Sequence, residues 1–132
     1  MANILALDFG TKRIGLAIAD TDLKIPSPLP FMANNATFFD LLGELIQKRH
    51  ISYLVLGYPI SLKGKKTQKT QEAEAFKVQL EESFKLEVIL VDERLTSIQA
   101  QGILHQKGLN SKQSRSKIDS LAASLILEAH LG

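Results

Sequence analysis

The chain contains no cysteine. Disulfides and thiolate metal sites are therefore excluded, and the composition fits a reducing compartment. Its apolar runs are no longer than a strand, far short of a membrane span. The amino-terminal stretch MANILALDFG carries an acid and no basic lead, so no secretory signal is expected there. Charge of one sign is also scarce: 16 Lys and Arg oppose 14 Asp and Glu, for a net charge of +2. With a pI near 8.9 this balance is too mild to indicate nucleic-acid binding, so the distribution of charge has to carry that question. Aromatics make up 6% of the chain and are sparse in its basic segments, which argues against strong base stacking on a single strand. His50, His105 and His130 lack metal-ligand spacing, and a helix dipole accounts for His50 and His130 at predicted helix ends. Ser97 and Ser120 lie near acids without a nucleophile-elbow pattern. Gly64-Lys65-Lys66-Thr67 resembles a phosphate loop only loosely, because the Gly-Lys-Ser/Thr element is missing.

What remains is an ordinary globular composition, 45% apolar and 23% charged over 132 residues. No repeat, linker or low-complexity tract divides it, so one domain over residues 1–132 is expected, cytoplasmic and without membrane contact. NILALDF and IGLAIAD read as two strands joined by the turn Gly10-Thr11-Lys12-Arg13. Residues 25–32 suit an edge strand, since Pro26, Pro28 and Pro30 cannot serve a central ladder. Asn34 or Asn35 is the expected cap of a helix over 37–49 with Phe38, Leu41, Leu42, Leu45 and Ile46 on one face. Tyr53–Leu56 reads as a short buried strand and 57–66 as a loop. A polar helix is predicted over about 68–84, with Ala73, Phe76, Leu80 and Phe84 as its stripe. Leu86–Val91 is a continuous apolar run, as for a strand covered on both faces. Helices are predicted over 96–107 and 116–131, the latter with Ile118, Leu121, Ala122, Leu125 and Ala129 inward, and a polar mobile stretch over 108–114 separates them. A meander passing into βαβαβ units gives an α/β fold, a five-stranded mixed sheet flanked by helices.

Three acids stand out against this pattern. Strand alternation puts Asp8 on the face of Ile4 and Ala6, with Leu5, Leu7 and Phe9 on the other. A carboxylate between two apolar faces costs several kcal/mol unless compensated, and a metal ion is one compensation. Hydrogen bonds from the Gly10–Lys12 backbone are the alternative. Asp92-Glu93-Arg94 ends the apolar strand, where ligands of parallel sheets collect. Adjacent acids point to opposite sides, so only one can share a face with Asp8. Asp119, in the first turn of the last predicted helix, falls beside Ala122, Ala123 and Ile126 by helical spacing. The dipole alone explains an acid there, at roughly 0.3–1 kcal/mol. Taken together, clustered carboxylates offer oxygen ligands for Mg²⁺ or Mn²⁺, and such clusters hold two ions about 3.5–4 Å apart across a scissile phosphate.

Cations accompany these acids. Lys12 and Arg13 follow Asp8. Lys63, Lys65, Lys66 and Lys69 stand in the acid-free stretch SLKGKKTQKT. Arg94 follows Glu93, and Lys112, Arg115 and Lys117 precede Asp119. Each can reach a phosphate backbone. Solvated basic loops are the plainer explanation, and the placement beside the acids favours the functional one.

LALDFGTKRIGLAIAD, LVLGYPISLKG, VDERLTS and KIDSLAASLILEAHL, in this order and at these intervals, resemble the YqgF/RuvX family across nearly the whole chain. The resemblance implies an RNase H-like fold related to the RuvC resolvase. It implies metal-binding acids at Asp8, Glu93 and Asp119, and a nuclease that matures the 5′ end of 16S rRNA, the family having earlier been assigned to Holliday junction resolution. Where the family usually reads GLPLNMDG this chain has Gly57-Tyr58-Pro59-Ile60-Ser61-Leu62-Lys63-Gly64, with Ser61 for the usual Asn and Lys63 for the usual acid.

The expectation is a phosphodiester hydrolase in which Asp8, Glu93 and Asp119 hold Mg²⁺ or Mn²⁺ and Lys12 and Arg13 neutralise phosphate charge. Its expected partner is nucleic acid, pre-16S rRNA first and branched DNA as the alternative, with the small ribosomal subunit as a further contact, and the protein a monomer or weak homodimer. A non-catalytic RNA-binding assembly factor is the second reading. An actin-like nucleotide-binding protein, suggested by Asp8-Phe9-Gly10-Thr11, would need a second lobe and a second phosphate motif.

Overall fold

A computed structural model describes residues 2–59, 64–92 and 111–131, with only the backbone over 111–120. Five strands, β1 (Asn3–Asp8), β2 (Arg13–Asp20), β3 (Ser27–Ala33), β4 (Ile51–Tyr58) and β5 (Val88–Asp92), form one sheet in the order β3-β2-β1-β4-β5. The first three make an antiparallel meander, and β1, β4 and β5 run parallel. Helices α1 (Phe38–Lys48), α2 (Gln68–Phe84) and α3 (Ser111–Leu131) complete the described elements. Parallel neighbours cannot be joined by a tight turn, so β4 and β5 are each reached through a helix, α1 and α2 respectively.

Alternation divides the central strands between two cores. Leu5, Leu7, Ile14, Leu16, Leu54 and Leu56 pack with Phe38 and Leu42 of α1 and Phe76 and Leu80 of α2. Ile4, Ala6, Ala17, Ala19 and Val55 pack on the other face with Ala123, Ile126 and Leu127 of α3. The small side chains on that second face let α3 approach the sheet closely. At its last turn His130 Nε2 lies 2.7 Å from the Tyr53 hydroxyl. Tyr53 is paired with Ile4 near the amino ends of β4 and β1.

The five-stranded mixed sheet is as expected, and so is the succession of its strands with α1 and α2 along the chain, whereas several local details differ. Neither Asn34 nor Asn35 is the cap residue of α1: the cap is Thr37, without a side-chain cap bond. Asn35 Oδ1 instead accepts from Thr37 N at 2.9 Å and Thr37 Oγ1 at 2.7 Å, an Asx turn one step ahead of the helix. Leu41 of the expected α1 stripe is 45% exposed. β4 is eight residues long, because hydrogen bonding continues through Gly57 and Tyr58. β5 starts at Val88 and lies at the sheet edge, so of its residues only Val88 is buried; the expected double coverage fails for that reason. Residues 111–114, expected in a mobile stretch, already belong to α3. Its buried stripe is Ala122, Ala123, Ile126 and Leu127, with Ser124, while Ala129 is exposed. The helix predicted over 96–107 lies outside the described residues, as does Ile118 as a side chain.

Candidate active site

Asp8 is the last residue of β1, at the carboxyl end of the sheet's central strand. It is half-buried, while Ile4 to Leu7 before it are wholly buried. Its antiparallel partner on β2 is Gly15. On the other side Leu7 pairs with Leu56, so the next residue of β4, Gly57, stands level with Asp8. Cross-strand partners share a face, so the strands on either side of this carboxylate present no side chain beside it. The result is open room next to an acid in an otherwise packed sheet.

That room is part of a cleft of about 380 Å³. One wall is the turn after β1: Phe9, Gly10, Thr11, Lys12 and Arg13. Gly57 and Pro59 from the end of β4 continue it, and Lys69, Glu72 and Ala73 from the start of α2 close the far side. Phe9 is anchored by its ring on Phe76, with centroids 4.7 Å apart. Gly10 is required sterically: a Cβ there would lie well inside contact distance of the Arg13 carbonyl oxygen. The turn is buttressed from beyond β3, where Asn34 Nδ2 donates to the Gly10 carbonyl at 2.9 Å and Asn34 N donates to the Lys12 carbonyl at 3.0 Å. Arg13 sits 5.5 Å above the Phe31 ring centroid.

The α2 wall is fixed by Thr67 and Thr70, which form a reciprocal capping box. Thr70 is wholly buried, and its Oγ1 donates to the Pro59 carbonyl. The start of the helix and the exit of β4 are thereby tied together at the cleft.

The expected site residues divide as follows. Asp8, Lys12 and Arg13 come together in the cleft. Lys66 does not line it; its Nζ lies 3.0 Å from Glu74 Oε2, which also accepts from the Tyr58 hydroxyl at 3.1 Å. Those two donors, Lys66 first, hold the Glu74 carboxyl below its usual range, and Glu74 raises the Lys66 ammonium in return. Lys65 does not line the cleft either. Lys63, Glu93 and Arg94 lie outside the described residues. Lys112, Arg115, Lys117 and Asp119 belong to α3 by backbone, and their side chains lie outside the description.

Two further residues complete the cleft: Lys69, the last cation of the SLKGKKTQKT stretch, and Glu72, which no sequence feature singled out. Both belong to the first two turns of α2, and only the packing of that helix against the end of β4 brings them to Asp8. The sequence signal that could have placed them there is the Thr-x-x-Thr cap, which sets where α2 begins. Among the described residues neither Lys12 nor Lys69 has a carboxylate partner, in contrast to Lys66 and Lys77. Also among the described residues, no group of three His, Asp or Glu side chains forms a cation site, and no helix is long and apolar enough to cross a membrane.

Comparison with known proteins shows the family and the fold. A family model described as "RuvX: Holliday junction resolvase" matches residues 2–132. A protein of Maridesulfovibrio salexigens, named "Putative pre-16S rRNA nuclease", is 40% identical over 131 residues, covering 97% of this chain and 96% of its own. A Sulfurihydrogenibium protein of the same name is 38% identical, covering 99% and 90%. Among solved structures, Thermus thermophilus RuvC in complex with a Holliday junction aligns with a TM-score of 0.59 at 12% identity, over 100% of this chain and 97% of its own. Fowlpox virus resolvase with Holliday junction DNA gives 0.56 at 15% identity, over 97% and 95%. At such identities the structural likeness speaks for the fold, which is RNase H-like. By its family match over residues 2–132 and its relatives at about 40% identity, the chain belongs to the RuvX family.

Proposed function

We propose that this protein is a divalent-metal-dependent nuclease that trims the 5′ side of precursor 16S rRNA, with Asp8 as its central carboxylate. The observation that carries the reading is the setting of Asp8: half-buried at the carboxyl end of the central strand, flanked by Gly15 and Gly57, and open to a cleft walled by Lys12, Arg13 and Lys69. An acid surrounded by cations and room is suited to a phosphate and its counterion.

Two regularities support Glu93 and Asp119 as its partners. Gly57, level with Asp8, pairs with Val91, and Val91 packs on the α3 face. Alternation puts Asp92 on the face opposite to Asp8. This favours Glu93 over Asp92. The α3 helix ends beside Tyr53, near the amino end of β1. Asp119 precedes His130 by eleven residues, about 16 Å at the rise of a helix. Ile4 to Asp8 spans about 13 Å of strand. The helix backbone at Asp119 therefore draws level with the carboxyl end of β1, and Ala122 and Ala123 keep it close to the sheet.

This donor set fits Mg²⁺ or Mn²⁺: hard oxygen ligands, no thiolate and no imidazole. When bound, such ions lower the pKa of water and neutralise charge on the phosphate under attack. The protein's own groups do the rest. Asp8 anchors the cluster on a rigid strand end. Lys12 and Lys69 meet phosphate from opposite walls, and Arg13, held by Phe31, stiffens the turn. The 40%-identical relatives are named for pre-16S rRNA, and this favours RNA over branched DNA as the substrate; the small ribosomal subunit is then the expected setting.

Precursor 16S rRNA incubated with the protein and Mg²⁺ or Mn²⁺ should lose its 5′ extension, EDTA should stop the reaction, and a four-way DNA junction should stay intact. Tight binding without product under single-turnover conditions would replace the nuclease with an RNA-binding assembly factor.

A further inference from the structure

We propose that Asn34, which no site motif contains, is a positioning residue that aims the Lys12 side of the cleft at substrate phosphate. The inference rests on the nuclease reading and adds to it a part played from β3. Arg13 pairs with Ala33 at the end of the β2–β3 ladder, so Asn34 is the first residue beyond it. There it makes two bonds to the cleft turn: its backbone N–H donates to the Lys12 carbonyl at 3.0 Å, and its Nδ2 to the Gly10 carbonyl at 2.9 Å. The second bond is partly buried, so water competes poorly for it. Lys12 carries one of the two bonded carbonyls, yet its own side chain is exposed and has no carboxylate partner among the described residues. Nothing attached to the ammonium thus fixes its direction; the turn beneath it has to. Gly10 alone cannot hold that turn, because its close approach to the Arg13 carbonyl only permits the conformation. Asn34 supplies the attraction that selects it.

A residue acting through Lys12 has a signature that a general stabiliser lacks. The probe is a fluorescein-labelled single-stranded RNA carrying the 5′ precursor junction, bound in Ca²⁺ and read by anisotropy. Asn34→Ala and Asn34→Leu, which both remove the Nδ2 donor without adding charge, should each weaken binding roughly 3- to 10-fold, the range of one net hydrogen bond. Lys12→Ala should weaken it similarly. Lys12→Ala combined with Asn34→Ala should be no more than twofold weaker than Lys12→Ala alone, because the second change removes support for a group already gone. Mn²⁺ affinity should be unchanged throughout. Wild-type affinity in both Asn34 variants, or losses that multiply in the combined variant, would overturn the proposal and leave the nuclease reading intact. A wild-type protein that neither binds nor cleaves the RNA would overturn both. Thermal unfolding of each variant identifies one that has not folded, and Asn34→Leu, which nearly keeps the volume of the side chain, then decides.

Discussion

Leucine and phenylalanine line the face of the sheet under α1 and α2, whereas alanine dominates the face under α3. The first face is thick: Phe38, Phe76 and Leu80 fill it, and Phe9, Phe39 and Phe84 pack against its margin. The second is thin, with Ala6, Ala17, Ala19 and Ala123 where larger residues would have buried more area. Burial stabilises by roughly 25 cal/mol per Å² of apolar surface, so the thin face gives up stabilisation. What it gains is a short distance between α3 and the strand that ends in Asp8. One face holds the fold together, and the other lets α3 pack close to the strand that ends in Asp8.

The contrast can be broken from either side. Phe38→Ala, on the thick face, should cost about 3–5 kcal/mol in urea unfolding. It should leave cleavage per folded molecule close to that of the unmodified protein, because no cleft residue rests on Phe38 alone. Ala123→Leu, on the thin face, should cost less, about 1–3 kcal/mol of overpacking. Its cleavage should nevertheless fall at least tenfold in the folded protein, because α3 is pushed away from β1. Equal activity losses in the two variants would show that the faces are not specialised.

A smaller effect belongs to the Tyr58–Lys66–Glu74 cluster outside the cleft. Glu74 is held below its usual range, so its contribution to stability is present above the unfolded carboxyl value and is lost as pH falls through the lower folded one. Lys66 is raised, so its contribution is complete below the ordinary lysine value and is lost as pH climbs through the higher folded one. Thermal unfolding against pH should therefore show a shallow plateau between these limits, and Glu74→Gln should flatten its acid limb. Both side chains are exposed, 62% and 39%, so solvent screening keeps the change small. Cleavage at neutral pH should be unaffected, which would separate Lys66 from the cations of the cleft.

Much of this was legible in the chain. Alternation in NILALDF gave the face of Asp8, and the prolines of β3 gave an edge strand, as observed. The spacing of Asp119 to Ala122, Ala123 and Ile126 matched the residues that α3 buries, whereas the stripe through Leu125 and Ala129 did not. A mostly alanine face has weak hydrophobic contrast, so periodicity alone misjudged which side of α3 packs. Glu72 and the role of Asn34 were not legible, because one reaches the cleft and the other its turn by tertiary placement rather than by local pattern. Lys66 looked like a phosphate contact until its partner, eight residues on, was seen beside it.

The central claim is that Asp8 anchors a divalent cation. Titration calorimetry with Mn²⁺ tests it without reference to any substrate: the unmodified protein should bind, and Asp8→Asn should lose at least tenfold in affinity while Asp22→Asn, on the distant β2–β3 connection, changes nothing. Undiminished Mn²⁺ affinity in a folded Asp8→Asn protein would contradict the account.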